Sequence, residues 1–183
     1  MSDGCTFLFR SGFFDMSISF TPLVQGLPAS VPFTGPETLE RRLGQPFKAR
    51  LGANESAFGL SELAVQALHE HIGTIGCSWY GDPENHQLRK ALSHQHGIAM
   101  DNICVDAGID ALLGLTVRML VQAGDAVVTS LGAYPTFNYH VAGFGGQLHT
   151  VPYVDHHESP AALLESATRQ KARLVYLSNP DNP

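Results

Sequence analysis

Charge is scarce in this chain of 183 residues: Asp, Glu, Lys and Arg together make up 15%, against about 25% in an average soluble protein. Hydrophobic residues reach 44%, a balance that excludes intrinsic disorder as the main state. Basic residues are the scarcer sign, 11 against 17 acidic, for a net charge of −6. With no Lys/Arg run, the chain carries no electrostatic footprint for nucleic acid or an anionic membrane. Cysteine is limited to Cys5, Cys77 and Cys104. An odd number, widely spaced and without CxxC, argues against a secreted disulfide framework and suits reduced thiols in the cytoplasm. No apolar run approaches the roughly 18 residues of a membrane span. The opening twenty residues are broken by Arg10, Ser11, Gly12 and Asp15, which does not fit a signal peptide. Met16 begins an ordinary polar–apolar stretch, so translation is expected to start there, with residues 1–15 a gene-model extension. The histidines lack metal-site spacing: His69/His71 and His94/His96 are two apart on expected helices, and His156-His157 has no cysteine nearby. HExxH, GxSxG, P-loop and GxGxxG motifs are all missing.

Proline and glycine are plentiful, above all early. Pro22, Pro28, Pro32, Pro36 and Pro46 with Gly26, Gly35 and Gly44 prevent a long helix and predict an extended arm over residues 1–47, with at most a short turn around Glu37–Arg42. From Ser61, a capping residue, Leu63, Ala64, Ala67, Leu68 and Ile72 recur at helical spacing. Asp82-Pro83 punctuates the chain before a second helix, about Glu84 to His96, with Leu88 and Leu92 on one face. Residues 48–97 read as part of a small domain and its linking helices.

After Gly97 strands and helices alternate. We expect a strand at Asn102–Asp106, then a helix at Ile109–Val121 burying Leu112, Leu113, Thr116, Met119 and Leu120. The strand AVVTSL follows, apolar on both faces, and then a helix at Tyr134–Phe144. A strand at Gln147–Val151, a helix at Pro160–Gln170 and a strand at Arg173–Ser178 complete the pattern. Strands joined by helices of about ten residues predict an α/β fold with a mostly parallel sheet flanked by helices over 98–183. The last strand runs straight into SNPDNP, in the place where open α/β sheets put ligand loops. The chain is therefore expected to be an N-terminal fragment cut through a functional loop.

Three short segments carry candidate chemistry. Ala107-Gly108-Ile109-Asp110 lies between an expected strand and a helix. It is either a main-chain cradle for a phosphate at a helix N-terminus or a plain turn in which Asp110 caps the helix. Tyr134, before Pro135, either stacks on a heteroaromatic ring or packs as a core aromatic, as Tyr139 is expected to do. In Asn179-Pro180-Asp181-Asn182-Pro183, prolines rigidify a turn whose amides either hold a ligand oxygen or simply end a strand.

RLGANESAFG (Arg50 to Gly59), YGDPENHQLRKAL (Tyr80 to Leu92), VDAGIDALL (Val105 to Leu113), AYPTFNY (Ala133 to Tyr139) and SNPDNP occur in one order and at one spacing. Together they resemble the first half of a class I/II aminotransferase, a pyridoxal-phosphate enzyme of fold type I. Within that class they are most similar to the histidinol-phosphate aminotransferase branch, over roughly residues 48–183. The resemblance implies that Gly108, Ile109 and Asp110 hold the cofactor phosphate. Ile109 and Ala111 stand where many relatives carry a hydroxyl or a further acidic residue, which leaves the phosphate to main-chain amides. It implies that Tyr134, not Phe137 or Tyr139, stacks on the cofactor ring, and that Asn182 faces its phenolic oxygen. Tyr80 would reach the cofactor phosphate of a partner subunit, and Asn54, with Glu55 beside it, would fold over the substrate.

The same resemblance implies a cytoplasmic homodimer that moves an amino group between an amino acid or amino-phosphate compound and a 2-oxo acid. It also implies a lysine holding the cofactor as a Schiff base. Lys48, Lys90 and Lys171 are the chain's lysines, and none stands at the family's position beyond the Asn-Pro motif. The chain alone is therefore expected to be inactive. A decarboxylase or lyase using the same cofactor, or a non-catalytic aminotransferase-like binding domain, is the alternative. No metal is expected.

Overall fold

The computed structural model describes residues 19–27, 34–50, 56, 58–74 and 78–180. Its elements in chain order are α1 (Pro22–Gln25), α2 (Pro36–Leu43), α3 (Glu62–His71), α4 (His86–His96), a 3-10 turn at Met100–Asn102, α5 (Gly108–Leu120), β1 (Ala126–Ser130), α6 (Pro135–Gly143), β2 (Gln147–Val151), α7 (Pro160–Gln170) and β3 (Leu174–Val175). The described residues form two compact units, 34–112 and 19–27 with 113–180.

Where an extended arm was expected, prolines and glycines bound two short helices, α1 in the second unit and α2 in the first. Pro36 occupies the first position of α2, where its missing N–H costs nothing, and Gly44 ends the helix at φ 73°. The expected turn at Glu37–Arg42 is thus an eight-residue helix. Arg50 closes the segment back on α2. Its guanidinium donates to Glu37 Oε1 at 2.7 Å and Glu40 Oε2 at 2.6 Å, while Glu40 Oε1 accepts the Phe47 N–H at 2.9 Å. Those bonds hold the Glu40 carboxyl below its ordinary pKa, the Arg50 bond foremost and the Phe47 amide next.

Ser61 caps α3 as its sequence predicts, accepting the Ala64 N–H at 3.2 Å, but Leu63, Leu68 and Ile72 stay exposed. Asp82 does more than punctuate. Its carboxylate accepts the His86 N–H at 2.9 Å and the Glu84 N–H at 3.0 Å, and these bonds lower its pKa. Arg89 on α4 donates to the Met100 carbonyl at 2.8 Å, fixing the 3-10 turn. The strand expected at Asn102–Asp106 does not form. Residues 100–102 belong to the 3-10 turn, and 103–106 have no ladder partner among the described residues. Alternating burial of Ile103 and Val105 survives without the pairing that makes a strand.

The second unit carries a parallel three-stranded sheet in the order β2-β1-β3, with Val128 opposite His149 on one side and Val175 on the other. Successive side chains of β1 point to opposite faces. Val127 packs with Leu113, Val117 and Val121 and with Phe137 and Val141 of α6. Val128 packs with Val151 and with Leu163 of α7. Helices therefore cover both faces of β1, which is why Val127 and Val128, on opposite faces, are both apolar. Each such side chain contributes about 1.5–3 kcal/mol on full burial.

The buried stripe of the chain around α5 is Leu113, Val117 and Val121. Of the expected set Leu113 is buried and Leu112 half-buried, whereas Thr116, Met119 and Leu120 are exposed. One residue turns a helix by about 100°, so a stripe set by steps of four leaves Thr116 and Leu120 off the buried line. β3 is also shorter than the expected Arg173–Ser178. Tyr176 N–H extends the ladder to Val128 O at 2.9 Å, after which Ser178 N–H turns to Glu158 Oε2 at 3.0 Å.

Candidate functional site at the carboxyl edge of the sheet

From β1 the chain passes through α6 to β2 on one side, then through α7 to β3 on the other. Strand order thus reverses at β1. Open α/β sheets bind ligands outside the carboxyl ends of the strands at such a point. Three segments emerge there in this unit: 131–134 after β1, 152–159 after β2 and 176–180 after β3.

Tyr134 is the N-cap residue of α6, followed by Pro135 in the first turn. Proline keeps the preceding residue out of helical conformation, so the tyrosine is held in the loop that opens the helix. Its half-buried ring packs against the core around Val127. Phe137, three residues on, is 1% exposed and lies inside that core, while Tyr139 is half-buried. Of the three aromatics of AYPTFNY, Tyr134 is the one at the helix mouth.

Polar atoms left over at this edge are informative. Ser130 Oγ, Thr136 Oγ1 and Glu158 Oε1 are buried and have no hydrogen-bond partner among the described residues. Such atoms cost about 1–3 kcal/mol each and are usual where a ligand or a further segment supplies the partner. Neither Ser130 nor Glu158 stands out in the sequence. The only signal for Ser130 is a hydroxyl at the last position of an apolar strand. Glu158 follows Asp155-His156, whose positive φ angles of 49° and 65° mark a strained turn.

In the first unit, Gly108 opens α5 at φ 84°, and a side chain there would meet nothing within 4 Å. Asp106 organises this turn: its Oδ1 accepts the Ala107 N–H and its carbonyl the Gly108 N–H, each at 2.7 Å. Asp106 thus stabilises the turn, and Asp110 lies in the first turn of α5. Ile109 is exposed, and its N–H sits at the positive end of the α5 dipole. The open backbone at Gly108 and the adjacent helix terminus suit a phosphate, although two of the loop amides are already taken by Asp106. Tyr80 is fully exposed. Asn54, Glu55 and Asn182 lie outside the described residues.

All three lysines are exposed. Lys171 ends α7 and precedes β3, which puts it at the amino end of the sheet, opposite the candidate site. At that end lies a cavity of about 400 Å³ lined by Arg118, Gln122, Asp125 and Arg173 among others. No cluster of metal-binding residues occurs among the described residues, and no described helix is long and apolar enough to cross a membrane.

The model of the family "aminotransferase class I and II" matches residues 48–183. Histidinol-phosphate aminotransferase of Roseiflexus castenholzii is 31% identical over 167 residues, 88% of this chain and 45% of the relative. The crystal structure of histidinol-phosphate aminotransferase from Sinorhizobium meliloti in complex with pyridoxal-5'-phosphate is 51% identical. It superposes with a TM-score of 0.84 over 92% of this chain and 44% of that one. Aspartate aminotransferase from Rhizobium meliloti, at 22% identity and a TM-score of 0.68, shares the fold. The chain spans about half the length of the relatives it matches. The described sheet is part of the fold type I architecture, and the chain belongs to the class I and II aminotransferase family.

Proposed function

We propose that this chain supplies the cofactor-holding part of an aminotransferase similar to histidinol-phosphate aminotransferase. In this reading it moves an amino group between an amino-phosphate compound or amino acid and a 2-oxo acid. The observation that carries the reading is Tyr134, held at the mouth of α6 on the carboxyl edge of the sheet, where the strand order reverses. Its support comes from the pyridoxal-phosphate complex of a relative 51% identical over nearly the whole chain.

Pyridoxal phosphate, when bound, supplies the electron sink for chemistry at the amino carbon of the substrate. The protein's part is binding and orientation. Tyr134 would cover one face of the ring, and the Ile109 amide with the α5 dipole would receive the phosphate at the Gly108–Asp110 turn. Asn182 would donate to the phenolic oxygen and favour its ionised form. Asn54, with Glu55 beside it, would contact the substrate. Full exposure of Tyr80 suits a side chain that reaches the phosphate held by a second copy, making the working unit a homodimer. None of Lys48, Lys90 and Lys171 matches the family's lysine in sequence position, so the reading expects no turnover by these residues alone. A cytoplasmic setting fits three widely spaced cysteines without a CxxC motif.

The test uses the protein expressed from its natural reading frame and titrated with pyridoxal phosphate by absorbance. Saturable binding is expected, weakened by Tyr134→Ala by roughly threefold to tenfold, as a ring stack of about 0.5–1.5 kcal/mol requires. Asn182→Ala should retain the cofactor but raise the pH at which its absorbance band titrates. A protein that shows no saturable binding refutes the proposal. Release of carbon dioxide without amino transfer would favour the decarboxylase alternative, and binding without any turnover the non-catalytic one.

A further inference from the structure

Glu158 stands in the segment between β2 and α7, just after a tight turn. Val154 and His157 exchange both backbone hydrogen bonds, at 2.9 and 3.0 Å, around Asp155 and His156. Both central residues are left-handed, a conformation that non-glycine residues adopt at a cost when the surroundings demand it. Beyond this turn, Glu158 Oε2 accepts the N–H of Ser178 at 3.0 Å, twenty residues away in sequence. Ser178 is the last residue before the Asn179-Pro180 turn.

Ser178 extends the connection. Its Oγ donates to Tyr176 Oη at 2.9 Å, and the Tyr176 ring stacks on Phe137 with centroids 4.2 Å apart and planes 17° apart. Thr129 Oγ1 donates to the Tyr176 carbonyl at 3.1 Å. Phe137 belongs to α6, whose first cap residue is Tyr134. The carboxylate of Glu158 thus anchors a run of contacts from the post-β3 loop to the helix that presents Tyr134. Stability alone does not account for a carboxylate here, because Glu158 Oε1 is buried without a partner among the described residues. A neutral side chain would avoid that desolvation.

We propose that Glu158 is a positioning residue: its carboxylate fixes the backbone at Ser178, and with it the adjoining Asn179 and Pro180, relative to Tyr134, so that the two segments are set for one cofactor ring. This rests on the functional reading above. Glu158 acts through the loop and takes no part in the chemistry. A charge-assisted bond to a main-chain amide is the stronger kind, and it holds a loop that would otherwise fray at the end of a two-residue strand.

The test compares wild type, Glu158→Gln, Glu158→Ala and Tyr176→Phe, each expressed from the natural reading frame, by amide hydrogen exchange and by absorbance titration with pyridoxal phosphate. In Glu158→Ala, Ser178 exchange should speed up roughly tenfold to a hundredfold, as loss of a bond to a charged group implies, with the Val127 amide unchanged as the control for folding. Pyridoxal phosphate affinity should fall at least tenfold, and the pH midpoint of its band should move. Glu158→Gln, which keeps an acceptor, should recover part of both effects, and Tyr176→Phe should lose less than Glu158→Ala. Unchanged Ser178 exchange, or faster exchange with unchanged cofactor affinity and titration, overturns the assignment of Glu158 while leaving the functional reading intact. A wild-type protein that binds no pyridoxal phosphate overturns both.

Discussion

Gly143 and Gly146 lie three residues apart around the end of α6, and the same substitution should act on them with opposite sign. Gly145 reverses the chain at φ 79°, and the Gly146 N–H returns to the Val141 carbonyl at 2.9 Å. This draws the Gly146 backbone onto the core. A Cβ there would fall 2.9 Å from Val141 Cγ1, 3.0 Å from Val121 Cγ1 and 3.3 Å from the Val141 carbonyl oxygen. Val141 is completely buried and Val121 nearly so. β-Branched side chains have one strongly preferred rotamer in a helix, so Val141 cannot swing aside, and the carbonyl is fixed by its own bond. Overpacking of this kind costs about 1–3 kcal/mol. At Gly143 a Cβ meets nothing within 4 Å, and the residue is helical. Alanine there gains up to about 1 kcal/mol in helix propensity, less for a position in the last turn. Urea unfolding followed by circular dichroism measures both. Gly146→Ala should lower the midpoint at unchanged slope, and Gly143→Ala should leave it equal or higher. A neutral Gly146→Ala would refute the close approach of Gly146, the residue before β2, to α6.

The remaining predictions concern the core, the edge and the arm. Leu163→Ala should cost about 2–5 kcal/mol in urea unfolding, because that side chain is 2% exposed between α7 and Val128, whereas neighbouring Leu164, 69% exposed, should tolerate alanine. Ser130→Ala should leave stability unchanged or raise it, since its buried hydroxyl has no partner to lose, and a clear drop in the urea midpoint would mean that the hydroxyl is bonded. The tie between Arg50 and α2 should loosen in acid. Glu37 is held below its ordinary pKa by a backbone bond and then by Arg50, and Glu40 by Arg50 and then by the Phe47 amide. With folded values depressed, the stabilisation is fully present above the ordinary carboxyl range and is lost as pH falls through the lowered values. Faster exchange of the Phe47 amide below that range should report it, and Arg50→Met should weaken the pH dependence without abolishing it, because the Phe47 amide also holds the ionised Glu40.

What was legible in the sequence is what depends on local spacing. Alternation of apolar strands with capped, amphipathic helices gave the α/β class and the elements from Ala126 to Gln170 nearly to the residue, because caps at Ser61 and Ser159 and prolines at 36, 135 and 160 act on neighbours within one turn. What depends on distant partners was not legible. Ile103 and Val105 alternate like a strand, but no other strand comes beside them among the described residues. The buried face of α5 is decided by the position of β1, and the expected face missed Val117. Arg50, read only as part of a motif, turns out to brace α2 from ten and thirteen residues away. At the candidate site, Tyr134 was visible through its proline, whereas Glu158 was not, since nothing in HHES announces a bond to an amide twenty residues later.

The two ends of the sheet divide the polar work unequally. At the amino end the loose groups are satisfied: Asp125 Oδ2 accepts the Gln122 N–H at 3.1 Å, Arg173 Nε donates to the Leu120 carbonyl at 3.2 Å, and Gly124 N–H bonds Gly145 O at 2.9 Å. At the carboxyl end, Ser130, Thr136 and Glu158 each keep a buried atom without a partner among the described residues, and the turn at Asp155-His156 is strained. A core optimised only for stability would show no such asymmetry, because both ends of a parallel sheet face the same problem of terminating buried strands. Proteins break local rules where a site is built and satisfy them elsewhere. The side of this sheet that violates them is the side on which Tyr134 and Asn179-Pro180 emerge, so polar accounting and strand topology, which are independent of each other and of any relative, single out the same edge for the candidate site.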